Sequence, residues 1–480
     1  MTDSRQKTGR LRLLVVIASY GQKNLPFLKQ IIQTYQNMTM EVDLIVVSES
    51  PKELGSGVKV VVGLPSGNPW SLPFAHKAIF AENVERYDLF VYTEDDIEVA
   101  EGQIQAFLRA TAAMGPDEIP GYLRYETGQD ETKLLTDVHG SFCWKPESAR
   151  HRGEYTIAEF TNEHAGFYIL TQAQLRQAIA SGGFLKKPYE GRYGLPETAA
   201  TDPYTCCGFR KVICISVLED FLIRHMSNLY VNRHGVPLSR FKKQVQTLID
   251  IGNGTHPVST LCKVESKMPH LDWSKHYYEA PSEAFLKMVP EDAKQILSIG
   301  CGWGATENRL KQRGAEVTAL PLDSVIGAAA ARLGIEVIYG TLEECLTNLK
   351  GRKFDCVLIS NLLHLQPNPI EVLQRCSLFV REGGTLVVSN PNFGRIPVML
   401  RRALGIGDYK KLRSFSLGGI NPYGMNFMKR QLKRLGFRTV AVQWFDRMPS
   451  RNLVAVRRCL GRFMAGDWIL KARRRPVSPN

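Results

Sequence analysis

The chain has 480 residues, more than one hydrophobic core usually organises, so two domains are expected. Its 44% hydrophobic and 22% charged content is that of a globular protein, and no apolar run approaches the roughly 18 residues that span a bilayer. The net charge of +14 is unevenly placed: residues 1–262 carry 27 Lys and Arg against 29 Asp and Glu, and residues 263–480 carry 34 against 18. A basic block of this kind suits an anionic membrane surface, a polyanionic substrate or plain solvation. No RNA- or DNA-binding motif accompanies it, which argues against nucleic acid.

At the start, Met1 to Arg10 is polar and lacks the apolar core and small-residue cleavage site of a secretory leader. Ten cysteines at irregular spacings, with no C-x-x-C pair, read as reduced thiols. Both features predict a cytoplasmic protein.

Between Leu11 and Glu98 three apolar runs, LRLLVVIAS, VDLIVVSES and YDLFVYTEDD, alternate with helix-like stretches at Leu25 to Tyr35 and Phe74 to Asn83. Such alternation predicts a parallel sheet covered by helices. Around Ile251 the sequence turns to IGNGTHPVST, rich in turn formers, and the spacing places a domain boundary at residue 262. A helix-like stretch, DWSKHYYEAPSEAFLKMV, then precedes a second alternation: QILSIG, AEVTALPL, IEVIYG, FDCVLIS and GTLVVSN. The reading is α/β with two doubly wound domains over 1–262 and 263–448, followed by a basic segment over 449–480.

In the second half, QILSIG runs into Gly300, Gly302 and Gly304 and then into a helix. Glycines at that spacing let the backbone turn sharply at the carboxyl edge of a parallel sheet and approach a ligand closely. With Gly314-Ala315-Glu316-Val317, FDCVLISNLLHLQPNP and FVREGGTLVVSNPN around it, the region resembles class I S-adenosylmethionine (SAM) methyltransferases. These include the ubiquinone-biosynthesis O-methyltransferases and many sugar methyltransferases. The resemblance implies a Rossmann-like domain binding SAM. Three positions depart from the family pattern: Ser298 before the glycine turn, Pro321 where a carboxylate usually holds the ribose, and Thr341 next to the adenine. Asp323 and Glu343, two residues further on in each case, are the substitutes expected in the cofactor site, and His364 the general base.

The first half resembles GT-A glycosyltransferases, on VVIASYGQKNLPFLKQII, the acidic triplet Glu94-Asp95-Asp96 at a strand end, and Val217-Leu218-Glu219-Asp220-Phe221. The resemblance implies a nucleotide-sugar site at Ser19, Glu49, Lys77 and Asp95, a Mn²⁺ or Mg²⁺ ion on Glu94, Asp96 and His225, and Asp220 as catalytic base with Glu219 as the alternative. His234 is a further candidate ligand.

The first expectation is a bifunctional enzyme of glycan assembly that transfers a sugar to a glycan or lipid-linked glycan and methylates a sugar hydroxyl. The second is a glycosyltransferase whose methyltransferase-like domain no longer works, motivated by Ser298, Pro321 and Thr341. The third is a SAM-dependent methyltransferase carrying a non-catalytic N-terminal binding domain. From Arg451 to Arg475, apolar residues mixed with arginines suggest either an interfacial helix on the inner face of a membrane, or a strand followed by a loose tail.

Overall fold

The computed structural model describes residues 10–231, 233–445, 463 and 465–476. The chain forms two compact units, Met1–Asn253 and Gly254–Asn480, so the boundary falls before the expected residue 262. The turn-rich stretch after Gly254 belongs with the second unit because its backbone pairs there: Leu261 N–H donates to the Leu322 carbonyl at 2.9 Å.

In the first unit, strands β1 (Arg12–Ala18), β2 (Glu41–Ser48), β3 (Val58–Val62), β4 (Leu89–Glu94) and β5 (Phe167–Thr171) form a sheet in the order β5-β4-β1-β2-β3. All pairs are parallel except β5 with β4. Every residue of β1 after Arg12 is buried, as a strand covered on both faces requires. Helix Leu25–Gln36 lays Leu28, Ile31, Ile32 and Tyr35 on this sheet at helical spacing. Two smaller sheets complete the unit, one built around Arg210–Cys214 and Tyr155–Phe160, the other around Leu123–Thr127 and Leu222–His225. Helix Leu238–Gly252 ends it, its Phe241 ring 5.4 Å from that of Trp144.

The second unit holds β6 (Gln295–Cys301), β7 (Glu316–Pro321), β8 (Glu336–Val337), β9 (Phe354–Ser360), β10 (Val380–Pro391), β11 (Phe437–Phe445) and β12 (Asp467–Arg474). The order is β8-β7-β6-β9-β10-β12-β11, and β12 runs antiparallel to both neighbours. Strand order reverses between β6 and β9, which opens a crevice at their carboxyl ends. The five apolar runs read from the sequence fall on β6 to β10.

Two expectations are corrected here. The stretch 272–289 is helical only at Glu283–Met288. Trp273 has φ 63°, outside the helical region, and Pro281 lies just before Ser282, whose hydroxyl caps the short helix. At the basic end it is the later half that forms the strand: Trp468, Ile469, Leu470 and Ala472 in β12 are fully buried. A central strand cannot also lie on a membrane surface, so the interfacial helix is excluded over 467–474. Its remaining part, 451–462, lies outside the described residues. Arg474 instead donates to the Val380 carbonyl at 2.8 Å. Among the described residues no helix is long and apolar enough to cross a membrane.

Candidate cofactor and acceptor sites

The turn after β6 is built by close packing. Gly300 and Gly304 have φ of 76° and 83°, a left-handed conformation that side chains rarely adopt. At Gly302 a Cβ would sit 2.2 Å from the Tyr277 carbonyl oxygen, which accepts the Trp303 N–H at 3.2 Å. The preceding segment is thereby stitched across the mouth of the turn, and the Trp303 indole N–H donates to the Glu279 carbonyl at 2.6 Å.

Under this turn lies a set of charged side chains. Glu307, in the first turn of helix Ala305–Gln312, is buried and accepts a hydrogen bond from the Ser298 hydroxyl at 2.7 Å. Burial raises its pKa, only partly offset by that hydrogen bond. A carboxylate from the facing helix thus stands beside Ser298. Lys275, 1% exposed, reaches Glu279 at 3.1 Å and the Ser360 hydroxyl at 3.2 Å. These groups line one small hollow with Gly300, Gly302 and Gly304. Sequence reasoning missed Lys275, Glu279 and Glu307. The available signal was an acid three residues into the helix after Gly304.

The other expected cofactor residues fare differently. Asp323 is buried at the carboxyl end of β7, where its carboxylate accepts the Ile326 N–H at 2.7 Å and caps helix Ser324–Arg332. Thr341 caps helix Leu342–Asn348 in a reciprocal box with Glu344. Glu343 is corrected: its side chain is 68% exposed and engaged by Arg375. His364 is fully buried, and its Nε2 donates to the Trp273 carbonyl at 2.8 Å. A base with no exposed surface cannot meet an acceptor in this arrangement, so its expected catalytic role is not realised.

The hollow under the glycine turn presents a buried cation and two carboxylates, chemistry that suits the amino-acid end of SAM, but its volume is about 30 Å³, room for about one water, so it must widen to admit that end. The carboxyl ends of β7 and β8, where the resemblance puts the nucleoside, are covered by the chain's own segment: the Ser324 N–H donates to Ser259 at 3.0 Å and the Leu342 N–H to Leu261 at 2.7 Å.

Beyond β9 and β10 there is a larger, open cavity of about 600 Å³, lined by Asn368, Glu371, Arg402, Arg413, Phe415 and Tyr423 among others. Among the described residues neither arginine has a carboxylate within salt-bridge distance.

In the first unit, the acidic triplet sits at the end of β4 as expected. Asn24 donates to Asp95 at 2.8 Å and to Asp96 at 3.3 Å, and Asp95 also takes a hydrogen bond from Ser19. Burial lifts Asp95 to about 6 against those hydrogen bonds, and burial with the neighbouring Asp96 lifts Glu94 to about 7. The His225 ring lies between Asp96, at 3.1 Å, and Glu126, at 2.6 Å. Burial would lower its pKa, but the two carboxylates outweigh that and raise it to about 9. Among the described residues no three His, Cys, Asp or Glu side chains are arranged to hold a metal ion. The expected Glu94, Asp96 and His225 shell is therefore not formed, and the His234 ring instead packs 4.4 Å from that of His139.

Glu49 accepts the Gly21 N–H at 3.1 Å and ties the first turn to β2. Lys77 is corrected: it is buried in an ion pair with Asp202, over the Phe74 ring, and is not available to a nucleotide. Asp220 and Glu219 are exposed on a short 3-10 helix. Glu219 pairs with Lys242, and Asp220 lines a surface hollow with Arg109 and Tyr155. No described contact joins either to Asp95 or Asp96, so the expected base does not complete a site with them.

Comparison with known proteins adds to this geometry. Residues 280–407 match the family described as methionine biosynthesis protein MetW. The chain is similar to a ubiquinone biosynthesis O-methyltransferase of Azotobacter vinelandii, 35% identical over 106 residues, which is 21% of this chain and 45% of that protein. A ubiquinone biosynthesis O-methyltransferase of Xylella fastidiosa is 30% identical over 135 residues, 25% of this chain and 54% of that one. The chain thus spans about half the length of these relatives. Among solved structures, a SAM-dependent methyltransferase from Archaeoglobus fulgidus covers 40% of this chain and 90% of its own, with 19% identity and a TM-score of 0.30. One from Mesorhizobium loti covers 40% and 96%, with 20% identity and a TM-score of 0.30. The second unit is a methyltransferase-like domain of α/β class.

Proposed function

We propose that the second unit is a SAM-dependent methyltransferase and that the first is a separate α/β domain which binds or presents its acceptor. The observation that carries this reading is the buried Glu307 under the Gly300–Gly304 turn, joined to Ser298 and lining the same hollow as Lys275. It restores a carboxylate at the methionine end where the sequence had lost one. The open cavity with Arg402 and Arg413 beyond β10 is the acceptor side, suited to a small molecule bearing an anionic group, since an unpaired guanidinium favours carboxylate or phosphate. Photolabelling the full chain with methyl-tritiated SAM tests the reading. Label is expected in peptides spanning 275–307. Label confined to the first unit, or none in a folded chain, would contradict it.

A second reading, sugar transfer from a nucleotide sugar by the first unit, is favoured by Asp95 and Asp96 side by side at the carboxyl end of β4, with Asn24 and Ser19 holding them. A Mn²⁺ or Mg²⁺ ion carried in with the donor's diphosphate would complete the coordination that the chain alone lacks. Replacing Asp95 and Asp96 together by Asn should then abolish Mn²⁺-dependent hydrolysis of the nucleotide sugar. Unchanged hydrolysis would remove the reading.

A further inference from the structure

Residues 256–262 lie across the loops that follow β7 and β8. Thr260 forms an antiparallel bridge with Asp323. On either side of it, the Leu261 N–H donates to the Leu322 carbonyl at 2.9 Å and the Ser324 N–H donates to the Ser259 carbonyl at 3.0 Å. The Leu261 carbonyl then accepts the Leu342 N–H at 2.7 Å, in the first turn of the helix after β8. The Leu261 side chain is 2% exposed, and the His256 ring stands edge-on to Tyr339 at 5.3 Å. One short segment therefore pairs with the loop after β7 and with the start of the helix after β8. It also buries a leucine there.

Those strand ends are the place where a parallel sheet of this order takes a nucleoside. A planar base needs backbone donors and acceptors at its edge and apolar surface on its faces. The segment already supplies an amide-like edge, in the Leu261 peptide, and an apolar body.

We propose that Ser259–Cys262 is an intramolecular occupant of the adenosine half of the SAM site, which the cofactor must displace to bind. This rests on the methyltransferase reading and adds its regulation. The closed form lowers the apparent affinity by the fraction of molecules in which the segment is away, so any event that lifts the segment switches cofactor binding on. Thr260 and Val258 are exposed on its outer side, within reach of such an event.

Calorimetric titration of the full chain with SAM, paired with hydrogen exchange, tests the proposal. Leu261→Ala weakens the closed form and should bind SAM at least tenfold more tightly than the unaltered chain. In the unaltered chain, SAM should speed exchange in the peptide 255–262 and leave that of β6 slow. Should Leu261→Ala fail to fold, Thr260→Gly, at an exposed position, loosens the segment without emptying a core site and should also tighten binding. If SAM binds the unaltered chain with no faster exchange in 255–262 and neither variant is tighter, the segment is no occupant, and the methyltransferase reading survives. If neither the unaltered chain nor the variants bind SAM while their circular dichroism is native, the methyltransferase reading falls and the displaceable segment falls with it.

Discussion

The backbone amide of Leu342 donates to the carbonyl of Leu261 at 2.7 Å, across a stretch of chain that includes the three strands β6, β7 and β8. The bond ties the boundary between the two halves of the sequence to the helix after β8. It explains why the division falls at Asn253: the turn-rich residues that follow pair with the second unit rather than forming a slack linker.

Glu307→Gln should leave the fold intact and weaken SAM binding by about tenfold or more, because a charge-assisted contact contributes about 1.5–3 kcal/mol. Equilibrium dialysis against labelled SAM reads the change. Affinity equal to that of the unaltered chain would mean that the carboxylate serves only Ser298.

Gly302→Ala should destabilise the second unit by about 1–3 kcal/mol, since its Cβ would lie 2.2 Å from the Tyr277 carbonyl and the backbone must move to admit it. Urea unfolding measures this. No loss would show that the segment around Tyr277 yields freely.

Removing Lys77 from its buried pair with Asp202 should cost about 3–5 kcal/mol, because the carboxylate keeps the Tyr189 hydroxyl at 2.7 Å but loses the cation that balances its charge. Lys77→Met shows that loss. The double change Lys77→Met with Asp202→Leu should recover much of it. If Lys77→Met is as stable as the unaltered chain, the pair is not structural.

Glu118 gives the first unit an acid-sensitive point. Burial alone would raise its pKa, but hydrogen bonds from Arg152, Arg150 and the Gly115 N–H outweigh it and hold the carboxyl well below the usual range. A depressed folded pKa contributes stability that is complete above the unfolded value, roughly pH 4.3, and is lost as pH falls toward the folded one. Glu118→Gln should therefore flatten the fall in melting temperature of the first unit below about pH 4. A slope identical to that of the unaltered chain would assign acid sensitivity elsewhere.

The sheets were legible because strands such as LRLLVVIAS and QILSIG are apolar over most of their length, as a sheet covered on both faces demands. The glycine turn was legible from its spacing. The residues beneath it were not: Glu307 lies nine positions from Ser298 in sequence, and only the packing of a helix on β6 brings them to 2.7 Å. Asp220, Lys77 and Glu343 carried the right chemistry at suggestive positions, but exposure and pairing depend on neighbours distant in sequence, Asp202 for Lys77 and Arg375 for Glu343. β12 was misread because Trp468, Ile469 and Leu470 are buried on both faces only through the flanking β10 and β11, which local spacing does not show.

The central claim, that the second unit binds SAM at the Gly300–Gly304 turn, is tested most directly by calorimetric titration of the full chain and of Gly302→Val with SAM. Saturable binding of one SAM per chain is expected, lost in Gly302→Val. Equal binding by both, or no heat from either the unaltered chain or Leu261→Ala at millimolar SAM, would contradict it.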